Sequence, residues 1–157
     1  MSTDILISID PGKDTGFSAW VNGKLYHSTL IDGTTSTHLV KLLHKLFNNL
    51  KNELNTVDFN KVALIEDGFV GPNKKSALSL AQKRGVAQAV FEQFDFNTIK
   101  WIYPSTWQKG LFKDKTEGNV KKWSIDLACK IADLSKINTN IADSICIAFY
   151  YLHYMQL

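Results

Sequence analysis

Two acidic residues stand where the catalytic groups of open α/β sheets usually lie, at or just past the carboxyl ends of strands. Asp10 follows the apolar run 4–9, and Glu66 follows the apolar run 61–65. Each run has the length and composition of a buried strand. Because one predicted helix separates the two acids, they can meet in space only if their strands are neighbours in the sheet.

A third acid, Asp143, lies within the apolar segment 139–152 near the start of the last predicted helix. Asn140 precedes it by three residues, so the two side chains share a helix face. A buried acid costs free energy unless something pairs with it. Three carboxylates and an amide oxygen form a set of hard ligands that suits Mg²⁺ or Mn²⁺. Two such ions about 4 Å apart would hold the attacking and leaving oxygens of a phosphoryl displacement.

Each of these residues also has a plain structural explanation. Asp10 precedes Pro-Gly and fits a turn, and Glu66 fits a charged loop position. Asn140 and Asp143 fit the cap of a helix that begins slightly later. Only their convergence in space separates a site from these alternatives.

The pattern of apolar residues predicts the elements that would position the acids. A hairpin meander is followed by two strand–helix–strand crossovers, which require a mixed sheet with helices on both faces, an α/β fold. Residues 104–118 are polar and are predicted to be the least ordered segment. We predict strands at 4–9, 17–21, 24–30, 61–65 and 98–103, and helices at about 37–54, 74–94, 119–132 and 140–155.

The composition is that of an ordinary globular protein. The chain has 157 residues, 45% apolar and 21% charged, which excludes a disordered or low-complexity chain and predicts one domain over residues 1–157. No apolar run approaches the roughly 20 residues of a membrane span, and the first residues include an acid where a secretory signal would be basic. We therefore expect a cytoplasmic protein with no membrane contact. Cys129 and Cys146 lack metal-site spacing and are predicted to be reduced core thiols.

The net charge of +3 is too small to establish a nucleic-acid partner. Basic residues are nevertheless concentrated in segments 74–84 and 100–130, which could bind phosphates or could simply be solvated helix faces. Arg84 is the only arginine, so bidentate arginine contacts to guanine are not expected to be the main way in which the protein binds nucleic acid. Any nucleic acid would be held through its phosphates and its shape.

Four segments together resemble the RuvC family of Holliday junction resolvases, in the ribonuclease H-like nuclease superfamily. They are IDPGKDTGFSAW at 9–20, the segment from ALIEDGF to RGVAQAV at 63–90, YPSTWQK at 103–109 and NIADSICIAFYY at 140–151. The resemblance implies a ribonuclease H-like fold with a five-stranded mixed sheet. It also implies a homodimeric, metal-dependent endonuclease that resolves four-way DNA junctions by paired symmetric nicks. The expected cofactor is Mg²⁺, replaceable by Mn²⁺, with two ions per site and no small-molecule cofactor. The lysine and asparagine bias favours an AT-rich genome such as a phage, which would place the protein in the host cytoplasm.

Carried over by position, the resemblance makes Asp10, Glu66 and Asp143 the catalytic acids and metal ligands. Asn140 stands where bacterial relatives usually have a fourth aspartate, so it keeps an oxygen ligand but removes a negative charge. Phe69 matches an aromatic residue near the junction centre, although it could equally be a loop residue tucked into the core. The helix at 74–90 resembles the family's dimer-interface element. The residues expected to contact DNA are Phe69, Lys74, Lys75, Lys83, Arg84, Lys109, Lys113, Lys115 and Lys121.

Three other functions stay open at this point. The sugar kinase and actin superfamily has a similar Asp-x-Gly turn after a strand, but its fold needs two such domains. A nuclease with broader specificity would cut forks and flaps as well as four-way junctions. A non-catalytic junction-binding protein is favoured by Asn140 alone.

Overall fold

The computed structural model describes residues 3–32, 35–54, 59–68 and 72–155. Its elements follow the predicted order with one addition, a helix within 104–118, so that the described residues contain five strands and five α-helices. A π-helical turn, Tyr151–Met155, follows the last helix. The strands are β1 (Thr3–Asp10), β2 (Asp14–Val21), β3 (Lys24–Asp32), β4 (Phe59–Glu66) and β5 (Thr98–Ile102), and the helices are α1 (Ser36–Leu54), α2 (Lys74–Gln93), α3 (Pro104–Phe112), α4 (Val120–Ala132) and α5 (Thr139–Tyr150).

The five strands form one mixed sheet in the order β3-β2-β1-β4-β5. β2 is antiparallel to both β1 and β3, whereas β1, β4 and β5 are parallel to one another. The parallel register pairs Ile9 with Ile65. The next residue on each strand is therefore an acid, and the neighbouring strands bring Asp10 and Glu66 to the same edge of the sheet.

Helices cover both faces of the sheet, as predicted. Alternation along β1 directs Ile5, Ile7 and Ile9 towards one core and Leu6 towards the other. The first core lies under α1 and α2, and the second lies under α3, α4 and α5. Asp10 shares the parity of Leu6, so its side chain lies on the α5 side of the sheet.

The segment predicted to be the least ordered contains a helix, so the prediction for residues 104–118 is wrong over α3. Pro104 is the first residue of α3, where its fixed φ suits the helix and its missing N–H costs nothing. Although this segment is polar in composition, it contains two buried aromatic residues, Trp107 and Phe112. Gly110 allows the close approach of α3 to α5, since a Cβ there would lie 2.2 Å from the Tyr150 ring.

α5 crosses β1 and β2 at short range because the residues at the contact are small. A Cβ on Gly16 would lie 1.9 Å from the carbonyl oxygen of Asn140. Nearby, the Ser18 hydroxyl donates to the Ser144 carbonyl at 3.1 Å. This contact fixes the height of the first turns of α5 above the sheet, and those turns carry Asn140 and Asp143.

Two further expectations concern the chain as a whole. Cys129 and Cys146 are free thiols, and burial raises the pKa of Cys146. Within the described residues, no helix is long and apolar enough to cross a bilayer.

Candidate active site

Asp10 and Glu66 form the centre of the candidate site. They lie close enough for each carboxyl group to affect the pKa of the other. Burial raises the pKa of Asp10 well above its usual range, and the charges of Glu66 and Asp143 raise it further. Burial also raises the pKa of Glu66, and the donors around it partly offset the rise. Both carboxyl groups are therefore harder to ionise than exposed carboxyl groups.

Asp143 is the third acid of the candidate site, and it lies on helix α5 rather than on the sheet. Burial is the main cause that raises its pKa to about 7, and the charge of Glu66 adds to the effect. The Ser124 hydroxyl and Lys121, both on α4, act in the opposite direction. Strands β1 and β4 and helix α5 thus each contribute one acid to a shared electrostatic environment.

Asn140 lies one turn before Asp143, within α5. The cap of this helix is Asn138, whose side-chain oxygen accepts from the backbone N–H groups of Asn140 and Ile141 at 2.8 and 3.3 Å. The capping alternative for Asn140 and Asp143 is therefore wrong. The Asn140 amide nitrogen is 3.5 Å from the carbonyl oxygen of Asp14, which leaves its side-chain oxygen as the atom available to a ligand.

Two residues that the sequence analysis did not assign to Glu66 hold it in place. The indole N–H of Trp107 donates to the Glu66 carboxylate at 3.0 Å, and Trp107 is fully buried. Arg84 donates through Nε to the Glu66 backbone carbonyl at 3.2 Å. Its positive charge also lowers the pKa of both Asp10 and Glu66. A buried indole N–H needs an acceptor, and this was the signal available for Trp107.

The chemistry of this donor set fits a hard divalent cation. Its ligating atoms are carboxylate oxygens and one amide oxygen, and burial is the main cause that raises the pKa of each of the three acids. A bound cation would offset both the cost of burying the charged carboxylates and the repulsion between them. Across the described part of the chain, however, no three His, Cys, Asp or Glu side chains are grouped tightly enough to form a ready-made metal site.

Most residues expected to contact DNA are exposed on α2, α3, α4 and the segment between α3 and α4. Lys121 is also close enough to Asp143 to affect its pKa. Arg84 is partly buried against the end of β4. The exposed lysines are Lys74, Lys75, Lys109, Lys113, Lys115 and Lys121.

Lys83 requires a correction. Only 4% of its surface is exposed, and its ammonium donates to the carbonyl oxygens of Gly12 and Lys13. Lys83 lies on the buried face of α2, together with Ala87 and Val90. Its side chain is therefore directed into the protein and not towards DNA. Phe69, expected to stack on a base, lies outside the described residues.

Comparisons with known proteins agree with this architecture. Two solved structures of RuvC from Thermus thermophilus match, each 14% identical in sequence. The one in complex with Holliday junction substrate has a TM-score of 0.74 and covers 97% of this chain and 94% of that chain. The other has a TM-score of 0.70 with 97% and 95% coverage. The yeast mitochondrial Holliday junction resolvase Ydc2 matches with a TM-score of 0.54 and 16% identity, over 94% of this chain and 77% of that chain. These likenesses confirm the ribonuclease H-like fold.

A search among curated proteins found no match. The family model for the crossover junction endodeoxyribonuclease RuvC, in contrast, matches residues 6–150. The match includes the end of β1, all of β4 and all of α5, the three elements that carry the acids. The chain therefore belongs to the RuvC family of crossover junction endodeoxyribonucleases.

Proposed function

We propose that this protein is a metal-dependent endonuclease that resolves four-way DNA junctions by cutting two opposed strands. The observation that carries the proposal is the gathering of Asp10, Glu66 and Asp143 at one edge of the sheet in a RuvC-family chain. A structural neighbour, RuvC of Thermus thermophilus, is described in complex with Holliday junction substrate. That complex supports branched DNA as the substrate class.

The residues that would hold Mg²⁺ or Mn²⁺, two ions per site, are Asp10, Glu66, Asn140 and Asp143. When bound, divalent cations supply an activated water at neutral pH and stabilise charge on the phosphate. Both carboxyl groups must be deprotonated to act as ligands. Trp107 fixes the orientation of the Glu66 carboxylate throughout. Hydrolysis of this kind requires no nucleophilic side chain.

Exposed lysines would hold the DNA backbone on either side of the acids. Lys121 connects this basic surface to the site, since its charge reaches Asp143. Lysines neutralise phosphates and release counterions, so junction affinity should fall steeply with salt. The lone arginine, Arg84, binds the protein's own backbone, which argues against base-edge readout as the source of selectivity.

The two opposed cuts call for a homodimer, and α2 offers a face for it. Leu78 is 66% exposed, and Ala81 and Ala89 are exposed along the same side of the helix. An exposed large apolar side chain beside small residues suits close packing of helix against helix. This face is opposite to the one that Lys83, Ala87 and Val90 bury. Dimerisation through it would leave the contacts of α2 with the site intact.

The experiment that tests the proposal is a cleavage assay on synthetic DNA. The purified protein is mixed with a four-way junction, a linear duplex of matched sequence and a three-way fork, each with Mg²⁺ or with EDTA. We expect paired symmetric nicks in the four-way junction only, and only with Mg²⁺. Equal cutting of the fork would instead make the protein a general nuclease of branched DNA. Junction binding without cutting would make it a non-catalytic junction-binding protein, with Asn140 the first residue to revert.

A further inference from the structure

Lys83 is a buried cation whose ammonium is committed to two backbone carbonyls. Its Nζ donates to the oxygen of Gly12 at 2.6 Å and to that of Lys13 at 3.2 Å. These acceptors are about 70 residues away in the sequence, outside α2. Lys83 is only 4% exposed. An ammonium group buried to this extent is stable only if it is hydrogen-bonded. The two bonds therefore fix the position of the acceptors as well as that of the lysine.

The carbonyls belong to the turn that joins β1 to β2, directly after Asp10. β1 ends at Asp10, and β2 begins at Asp14. The carbonyl of Asp14 also lies 3.5 Å from the Asn140 amide nitrogen. The turn and the first residue of β2 thus connect one acid of the site to the helix that carries Asn140 and Asp143. Movement of the turn would displace Asp10 relative to α5.

The residue after Lys83 makes the corresponding contact with the other strand. Arg84 donates to the backbone carbonyl of Glu66, at the end of β4. Its guanidinium fills the space beside Gly68, where a Cβ would lie 1.7 Å from Nη2. Two consecutive residues of α2 therefore bind the backbone next to the two acids. Lys83 bonds to the turn after Asp10, and Arg84 bonds to the end of β4 at Glu66.

From these contacts we infer that Lys83 is a positioning residue for the nuclease reaction, holding the turn after Asp10 so that this acid meets Glu66 and Asp143. The inference rests on the proposed function, because it assigns a task within the same site. It excludes direct DNA binding by Lys83, since two of the three ammonium donors are already used inside the protein. Misplacing a catalytic group by about 1 Å can reduce a rate by about 100-fold.

The test compares Lys83→Met, which keeps the apolar stem but removes the donors, with Lys83→Arg, which keeps charge and donors. The matched control is Lys45→Met, on the exposed face of α1. Amide hydrogen exchange of residues 12–15 is measured without DNA, and junction affinity and single-turnover cleavage are measured with saturating protein. We expect at least about tenfold faster exchange in Lys83→Met. We also expect a cleavage rate lower by about tenfold to 100-fold. Junction affinity should stay within about threefold of wild type, and Lys83→Arg should recover part of the rate.

Unchanged exchange at residues 12–15 in Lys83→Met would overturn the inference. So would weaker junction binding with a shallower salt dependence and a normal rate at saturation, because that result would place Lys83 on DNA. If Lys83→Met does not fold, Lys83→Gln, with a shorter side chain, receives the same measurements and the same criteria. Exchange needs no cleavage, so it tests the role of Lys83 even if the wild-type protein fails to cut junctions.

Discussion

Asp10 is the residue on which the proposed chemistry depends most, because it combines burial with two acidic neighbours. Asp10→Asn keeps the size of the side chain but removes its charge. We expect single-turnover cleavage to fall by at least about 1,000-fold, since the loss removes both a metal ligand and the charge that neutralises the cation. Junction affinity, measured by gel shift in Ca²⁺ or EDTA, should change by less than about threefold.

The control for this substitution is Asp126→Asn, an exposed carboxylate on α4. It removes the same charge from the molecule and should cut at the wild-type rate. An equal loss of binding and cleavage in Asp10→Asn would show that the acid serves docking, and the assignment of roles would be wrong.

Asn140 distinguishes this chain from the pattern that the resemblance implies. Asn140→Asp adds a carboxylate beside Asp143, so we expect the Mg²⁺ concentration for half-maximal cleavage to fall several-fold. Without a metal, the added charge has no partner, and the melting temperature in EDTA should fall. An unchanged Mg²⁺ requirement would count against Asn140 as a ligand.

Asp143 makes the metal-free protein sensitive to pH. Its pKa rises from 3.8 to about 7 on folding, so between these values the folded protein retains a proton that the unfolded chain releases. Stability should therefore decrease as the pH rises from about 4 through 7. The loss attributable to Asp143 is about 2 to 4 kcal/mol, measured by urea unfolding in EDTA.

In Asp143→Asn the side chain cannot ionise, so the decrease in stability between pH 5 and pH 8 should be smaller than in the wild type. Asp126→Asn should retain the full decrease. Saturating Mg²⁺ should also reduce it in the wild type, because a cation favours the charged acids. Parallel curves for wild type and Asp143→Asn would contradict this account.

At the scale of elements, the site depends on how closely α5 approaches β2. Gly16→Ala places a methyl group within 1.9 Å of the Asn140 carbonyl, and a backbone atom cannot move aside as a flexible side chain would. α5 must therefore shift. We expect a loss of at least about 2 kcal/mol in the free energy of unfolding, together with slower cleavage. Unfolding by urea and single-turnover cleavage measure the two effects, and wild-type values for both would show that α5 does not need this contact.

At the scale of the whole molecule, the proposed dimer face on α2 can be tested without touching the acids. Leu78→Glu places a charge at its most exposed apolar side chain. We expect a dimer in the wild type and a monomer in the variant by sedimentation velocity, since a desolvated charge opposes association. Leu134→Glu, at a 52% exposed leucine outside α2, is the control and should remain a dimer. An unchanged mass for Leu78→Glu would place the interface elsewhere.

The periodicity and composition of the chain determined the five strands and all the α-helices of the described residues except α3, because strands and helices with one buried face carry apolar residues at spacings of two and about 3.6. They also determined the candidate acids, since Asp10 and Glu66 end apolar strands. One error, over 104–118, arose because a short helix with exposed polar residues and a proline at its start resembles a loop in composition. That residues 1–157 form a single domain stays a prediction.

Only the tertiary structure decided which residues meet. The pairing of β1 with β4 brings Asp10 to Glu66, and the approach of α5 over Gly16 brings Asp143 to both. Lys83 shows the limit of local reasoning most clearly: its neighbours in sequence suggest a basic surface, whereas its partners are about 70 residues away. Local patterns record whether a side chain prefers water or the interior on average. They do not record the long-range contacts that give a buried charge its partners, because those contacts exist only when the whole sheet and its helices have assembled.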